Sequence, residues 1–271
     1  MDGFVDIHSH LLPGIDDGPT DMAGTLAMAQ AAAEAGTATL AATPHLRADF
    51  PGVHVREIAA ACQRVQAEIT AAGIALDVVA GAETSLIWAI DASEDDLRLA
   101  TYGQRGSDLL VETPADVSTL EPLLYQLRLH GLRVILAHPE RCSAFMSDLD
   151  KLVRLSEHGI LLQVNADALL ASKKAPGRRL AEHLCRQGLA HVLASDGHRG
   201  HEWRPVSALG DGVEALARLV GTARAQWMAV DVPAAILEGR ELPPEPEVKH
   251  VRSGLWRRRP PVRFAAATAR H

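Results

Sequence analysis

Cysteine is scarce: the 271 residues contain three, Cys62, Cys142 and Cys185. No two form a Cys-x-x-Cys pair, which excludes a thiolate zinc site and a disulfide framework. Six positions after each cysteine stand Glu68, Asp148 and His191 rather than arginine, so the signature of a cysteine-nucleophile phosphatase is absent. Aromatics are few (four Phe, two Tyr, four Trp), which leaves an aliphatic core of Ala, Leu and Val. No apolar run approaches the roughly 20 residues that span a bilayer. The N-terminus lacks the basic start and apolar centre of a signal peptide, and a cytoplasmic location is expected. Basic residues are thin in the body of the chain. Seven of the 27 Lys and Arg fall within residues 249–271, a stretch without a single acid, leaving 20 against all 34 acids in residues 1–248. An acidic body argues against nucleic acid as a partner.

What is present is a repeating alternation. Short apolar runs at "FVDIH" (4–8), "ATLAAT" (38–43), "DVVAGA" (77–82), "DLLVE" (108–112), "RVILA" (133–137), "ILLQVN" (160–165) and "HVLAS" (191–195) are mostly continuous. That is how strands buried on both faces of a parallel sheet read. The segments between them carry helix punctuation. Thr20-Asp21 can cap a helix that stops at Gly36, a second runs from about His54 to Gly73, Ser118 can cap one that stops at Gly131, and further stops fall at Gly159 and Gly188. Seven β-α repeats favour an α/β barrel of parallel strands over an open doubly wound sheet. After Asp231 the pattern weakens, "ELPPEPEVKH" reads as a linker, and the basic stretch beyond it as a tail. A body of residues 1–240 followed by a Pro/Arg-rich tail, 241–271, is the expected division.

Ionisable residues gather where the apolar runs end. His8 and His10 follow the first, His45 the second, Glu83 the third, Glu112 the fourth, His138 the fifth, and Asp196 and His198 the seventh. In parallel α/β barrels the active site is built at this end of the strands. Imidazole and carboxylate without thiolate suit manganese, iron or zinc. The His-x-His spacing turns two imidazoles to one side of an extended segment, within reach of one ion. Taken singly, "GIDDGP" is a turn and "TPH" means little; together, on one rim, they describe a metal site of nine ligands once Asp17 is counted.

The ordered set "DIHSH", "TPH", "GAE", "LLVET", "AHPER" and "SDGH" resembles the PHP (polymerase and histidinol phosphatase) superfamily. "HSHLLPGIDDGP" and "HPER" narrow the resemblance to the bacterial protein-tyrosine phosphatases of capsular and exopolysaccharide gene clusters, the CpsB/CapC/YwqE type, over about residues 2–240. The resemblance implies a distorted (β/α)7 TIM-like barrel with three divalent metal ions, usually Mn2+, with iron or zinc as alternatives. It implies His8, His10, Glu83 and Asp196 on the first metal, Glu83, Glu112 and His138 on the second, and Asp17, His45 and His198 on the third, with Asp16 as the fallback for Asp17. Arg141 and Arg204 would bind the phosphate, with Arg199 competing for the second place.

The implied activity is hydrolysis of phosphotyrosine by a metal-activated water, on a phosphotyrosine protein such as the tail of a bacterial tyrosine kinase. A small-molecule phosphomonoesterase such as histidinol phosphatase and a non-catalytic scaffold are the alternatives. The basic tail, with Trp256 and Phe264, could touch anionic lipid.

Overall fold

The computed structural model describes residues 3–114, 120–199 and 204–246. Ser118 and the basic stretch from Lys249 lie outside the described residues. The fold is mixed α/β with two parallel sheets. One joins β1 (Phe4–Asp6), β2 (Thr37–Ala42) and β4 (Asp77–Ala80) in the order β1-β2-β4. The other runs β3-β5-β6-β7-β8-β9, built from β3 (His45–Leu46), β5 (Glu83–Ser85), β6 (Asp108–Glu112), β7 (Arg133–Leu136), β8 (Leu161–Asn165) and β9 (Ala190–Ala194). The continuous apolar runs are buried on both faces: Leu109 to Val111, Val134 to Leu136 and Val192 to Ala194 are almost wholly excluded from solvent.

Helices cover the sheets. Asp21 caps the helix Met22–Glu34, accepting a hydrogen bond from the Gly24 backbone N–H at 2.8 Å, as its residue type predicts. The helix Val55–Ala71 buries Val55, Ile58, Cys62, Val65 and Ile69, one face at helical spacing. Each such aliphatic side chain contributes about 1.5–3 kcal/mol by leaving water.

Two expectations need correction. The second and third predicted strands do not run through to His45 and Glu83. Each breaks, at Thr43-Pro44 and at Gly81-Ala82, and resumes as a short strand of the other sheet, so that seven predicted strands become nine. Pro44 brings no N–H to a ladder. Gly81 is required by close approach, because a Cβ there would lie 2.8 Å from the Tyr102 ring. That ring is fully buried, and its hydroxyl donates to the Ile7 carbonyl at 2.8 Å. The breaks turn His45 and Glu83 toward the ends of β1 and β9. The second correction concerns the chain after Asp231, where the expected loss of pattern is instead a helix, Val232–Glu238, with Val232, Ala235 and Ile236 buried. Its seven residues are too few to show a period.

Candidate metal centre

Each strand end delivers its polar residues to one place. Beyond β1 the chain stays extended, and Asp6 straps it down: one carboxylate oxygen accepts from the backbone N–H of His8 at 3.2 Å and of Ser195 at 3.1 Å. The N–H of His10 then donates to the Gly197 carbonyl at 2.8 Å, bringing the end of β1 beside the turn that follows β9. The "LLPGIDDGP" turn is anchored by fully buried Leu11 and Leu12 and closes through Gly14 N–H to the Pro19 carbonyl at 2.7 Å. Gly18 is needed here, because a Cβ would collide with the His10 carbonyl.

Four overlapping groups result, each with ligand atoms within 4.8 Å of one another: His10, Asp17, His45 and His198; His8, His10 and Asp196; His8, Glu83 and His138; and His45, Glu83 and Glu112. All nine residues expected from the sequence are thereby brought together. Glu83 is shared by two groups and lies at the centre, 2.8 Å from His138 Nε2 through Oε1 and 2.9 Å from His45 Nδ1 through Oε2.

Three of the four non-glycine residues with positive φ among the described residues belong to this site: His138 (31°), Asp196 (52°) and Arg204 (47°). Such backbone costs of order 1–3 kcal/mol per residue and persists where its surroundings over-determine it.

The two aspartates of "IDDG" separate cleanly. Both oxygens of Asp16 are engaged: Oδ2 accepts from His10 Nδ1 at 2.7 Å and from the His45 N–H at 3.1 Å, and Oδ1 accepts from the Gly18 N–H at 3.0 Å. Asp17 Oδ1 is buried, makes no hydrogen bond, and faces His198 Nε2 at 3.3 Å and His45 Nε2 at 3.5 Å. The arginines separate as well. Arg141 and Arg204 both donate to Asp196 Oδ2, at 2.7 and 2.9 Å. Arg199 is exposed and donates to the Asp17 carbonyl at 3.1 Å, away from the cluster.

Charge in the cluster is tightly balanced. Burial alone would raise the pKa of Glu83 and Asp196, but the surrounding imidazoles, His8 foremost, hold both well below the carboxylate range. Burial would likewise lower His138, yet Glu83 and Asp196 lift it to about 9, and Asp16, Asp196 and Glu83 lift His10 well above its ordinary value. Protons on histidine thus play the part of a cation.

A divalent ion fits this set better. His8 Nε2, His10 Nε2, His45 Nδ1, Asp17 Oδ1, Glu83 Oε2 and Asp196 Oδ1 are all buried without a hydrogen bond. A buried polar atom left unpaired costs about 1–3 kcal/mol. Six such atoms within the overlapping groups suit coordination of divalent ions. The nitrogen and oxygen donors suit Mn2+, Fe2+ or Zn2+.

A cleft of about 740 Å³ opens beside the cluster. Glu112, His138 and Arg141 line its inner side, and Phe50, Pro51, Ile87 and Trp88 its apolar wall. Phe50 stacks on His45 with 5.0 Å between centroids, and Arg47, which also donates to Glu112 at 2.8 Å, lies over the same Phe50 ring, 5.4 Å from its centroid. Sequence reasoning missed Arg47, which stands two residues after "TPH", and it missed Gln163 and Asn165 on β8. Those two are fully buried amides two apart in an apolar run, a spacing that turns them to one side.

Comparison with known proteins identifies a family. The model of the family described as capsular polysaccharide synthesis, CpsB/CapC, matches residues 4–238. The tyrosine-protein phosphatase YwqE of Bacillus subtilis is 31% identical over 200 residues, covering 72% of this chain and 77% of its own. The tyrosine-protein phosphatase CpsB of Streptococcus pneumoniae is 24% identical over 243 residues, covering 86% and 98%. A solved chain from the work on YwqE and CpsB, described as unique metal-dependent tyrosine phosphatases, superposes with a TM-score of 0.76 at 25% identity, over 90% of this chain and 99% of that one. A β-aspartyl dipeptidase from Fervidobacterium islandicum AW-1 shares the fold alone, with a TM-score of 0.55 at 10% identity over 88% of this chain and 75% of its own.

Proposed function

The chain belongs to the CpsB/CapC family of capsular polysaccharide synthesis, and from that premise we propose that it is a metal-dependent protein-tyrosine phosphatase. One observation carries the reading: six buried nitrogen and oxygen atoms without a hydrogen bond gather in overlapping groups with Glu112 and His138, which together with Arg141 line the inner side of an aromatic-walled cleft.

We assign three divalent ions, Mn2+ first among candidates. His8, His10, Glu83 and Asp196 hold one; Glu83, Glu112 and His138 the second; Asp17, His45 and His198 the third. The full engagement of Asp16 supports Asp17 as the ligand, and the outward position of Arg199 supports Arg204 as the second arginine. Bound ions supply an activated water and neutralise charge on the phosphoryl oxygens. Arg141 and Arg204 offer planar donors to the same oxygens, a task for which their forked geometry suits them better than lysine. Phe50 and Trp88 give the substrate ring an apolar wall, and the phenol leaves with a pKa of about 10, so little proton donation is needed. Thr43 N–H to the Ser9 carbonyl (2.7 Å), Gly81 N–H to Ala42 (3.0 Å), Glu83 N–H to Pro44 (3.1 Å) and the Ser9–Gly197 pairing support reading the two sheets as one distorted (β/α)7 barrel, with residues 1–240 as its body.

No helix among the described residues is long and apolar enough to cross a membrane. The substrate proposed is a cytoplasmic phosphotyrosine protein, a kinase tail of the polysaccharide machinery. The test is hydrolysis of a phosphotyrosine peptide and of histidinol phosphate, before and after chelation, with Mn2+ restored. Peptide turnover that is lost on chelation, regained with Mn2+, and abolished in His8→Ala/His10→Ala is the expected result. Activity indifferent to chelation sinks the proposal, and preference for histidinol phosphate moves it to a small-molecule phosphatase.

A further inference from the structure

The apolar run at 160–165 delivers none of the nine candidate ligands, yet β8 carries two fully buried amides, Gln163 and Asn165, on one side. They form an unbroken chain of hydrogen bonds across the site. Asn165 Nδ2 lies 2.8 Å from Asp196 Oδ2, Gln163 Nε2 lies 2.6 Å from Asn165 Oδ1, and Gln163 Oε1 lies 2.9 Å from His8 Nδ1. Such a chain has a direction, because each amide has one donating and one accepting end. Asp196 Oδ2 fixes that direction. It already accepts from Arg141 and Arg204 and has no proton to give, so Asn165 must present its NH2 group. The Asn165 carbonyl then receives the Gln163 NH2, and the Gln163 carbonyl faces Nδ1 of His8, which must carry the proton. Nε2, the other ring nitrogen, makes no hydrogen bond and is aimed at Glu83 Oε2 (3.3 Å) and Asp196 Oδ1 (3.4 Å), the position from which it can ligate a metal ion.

We propose that Gln163 and Asn165 are positioning residues that set the tautomer of His8 from the carboxylate of Asp196, so that both ligands of one metal are prepared by a single polar relay before metal arrives. The relay begins at one oxygen of Asp196 and ends at a nitrogen aimed at the other. Its consequence for metal rests on reading His8 and Asp196 as ligands; the tautomer itself does not. The other rim histidines are oriented more simply. His10 Nδ1 bonds directly to Asp16, and His198 Nδ1 donates to the Asp196 carbonyl at 2.7 Å. His8 is the one in this trio whose orienting partner is neutral and itself in need of orientation. Outer partners of ligating histidines raise metal affinity by about 10–100-fold.

The test is 15N NMR of His8 in the chelated full chain, at a pH where the ring is neutral, paired with calorimetric Mn2+ titration. The wild-type ring is expected to read as the Nδ1–H tautomer. Gln163→Leu should lose that signature and bind Mn2+ about 10–100-fold more weakly. Asn165→Leu is the sharper variant: it leaves Gln163 in place and does not touch His8, yet it should mix the tautomers, which a purely structural role would not do. Gln163→Glu keeps an acceptor for His8 and should keep the Nδ1–H signature; it carries the test should the leucine variants not fold by far-UV circular dichroism. An Nε2–H ring in the wild type, an unmoved tautomer in folded Asn165→Leu, or loss of the signature in Gln163→Glu overturns the relay. Wild-type protein that binds no metal overturns the metal centre instead, and the two failures are told apart by the NMR alone.

Discussion

Exchanging the two adjacent aspartates for asparagine should produce distinguishable defects. Asp16 receives three donors on two oxygens: His10 Nδ1 and the His45 N–H on Oδ2, and the Gly18 N–H on Oδ1. Asparagine has only one accepting oxygen. Placed toward His10 and His45, it leaves its NH2 against the Gly18 N–H, donor against donor; flipped, it meets two donors and forces the His10 proton onto Nε2, the atom facing Glu83 and Asp196. The first arrangement costs less, about 1–3 kcal/mol for the unpaired Gly18 donor. For a chain of this length that lowers the melting temperature of the chelated protein by roughly 2 °C per kcal/mol, or about 2–6 °C. Asp17 Oδ1 is buried against His198 and His45, and although burial opposes it the imidazoles of His198, His10 and His45 hold the carboxyl well below the usual carboxylate range. Asp17→Asn should therefore also lower the melting temperature in chelator. Metal tells the two variants apart. Asp17→Asn should reduce the number of ions bound by one, whereas Asp16→Asn should keep the number and weaken affinity about 10–100-fold. Differential scanning calorimetry in chelator and metal analysis after gel filtration read the two effects. If Asp16→Asn loses an ion while Asp17→Asn keeps the full set, the argument from hydrogen-bond engagement is wrong.

Two further outcomes are expected. Arg141→Lys and Arg204→Lys should each lower kcat/KM for a phosphotyrosine peptide about 10–100-fold, the worth of a charge-assisted bond at roughly 1.5–3 kcal/mol; because both guanidiniums rest on one oxygen of Asp196, the double variant should fall short of the product of the singles, and full additivity in a steady-state double-mutant cycle contradicts this geometry. Burial pushes the thiols of Cys62 and Cys185 up to about 12, so Cys142→Ser protein, left with only those two, should retain activity after iodoacetamide treatment without denaturant, and inactivation tracking with modification of either cysteine by mass spectrometry would count against a site that uses no thiolate.

The sequence made the candidate ligands easier to find than the geometry that joins them. Each strand core is legible because a strand buried on both faces has no room for polar residues. The polar residue that ends each apolar run is therefore conspicuous, as with Glu112 after "DLLV" and His138 after "RVILA". The breaks before His45 and Glu83 were not legible. Thr-Pro and Gly-Ala fit a continuous strand or a turn equally well by composition, and what decides between them at Gly81 is the ring of Tyr102, twenty-one residues further along the chain. The same limit applies to Asp16 and Asp17. Adjacent residues of identical type differ only in which donors surround them, and those donors come from the ends of three separate segments.

Gln163 and Asn165 mark a different kind of miss, because their signal was present in the sequence. A run that is apolar on both faces excludes unpaired amides. Two amides at a spacing of two within "ILLQVN" therefore had to face a common polar target inside the molecule. The only polar interior the pattern offered was the rim where the ligands gather. The constraint that makes His8 visible as a candidate ligand thus also marks its hydrogen-bond partners: a search for metal sites that includes buried amides in strands, and not only His, Cys and carboxylates, would have joined β8 to the candidate centre.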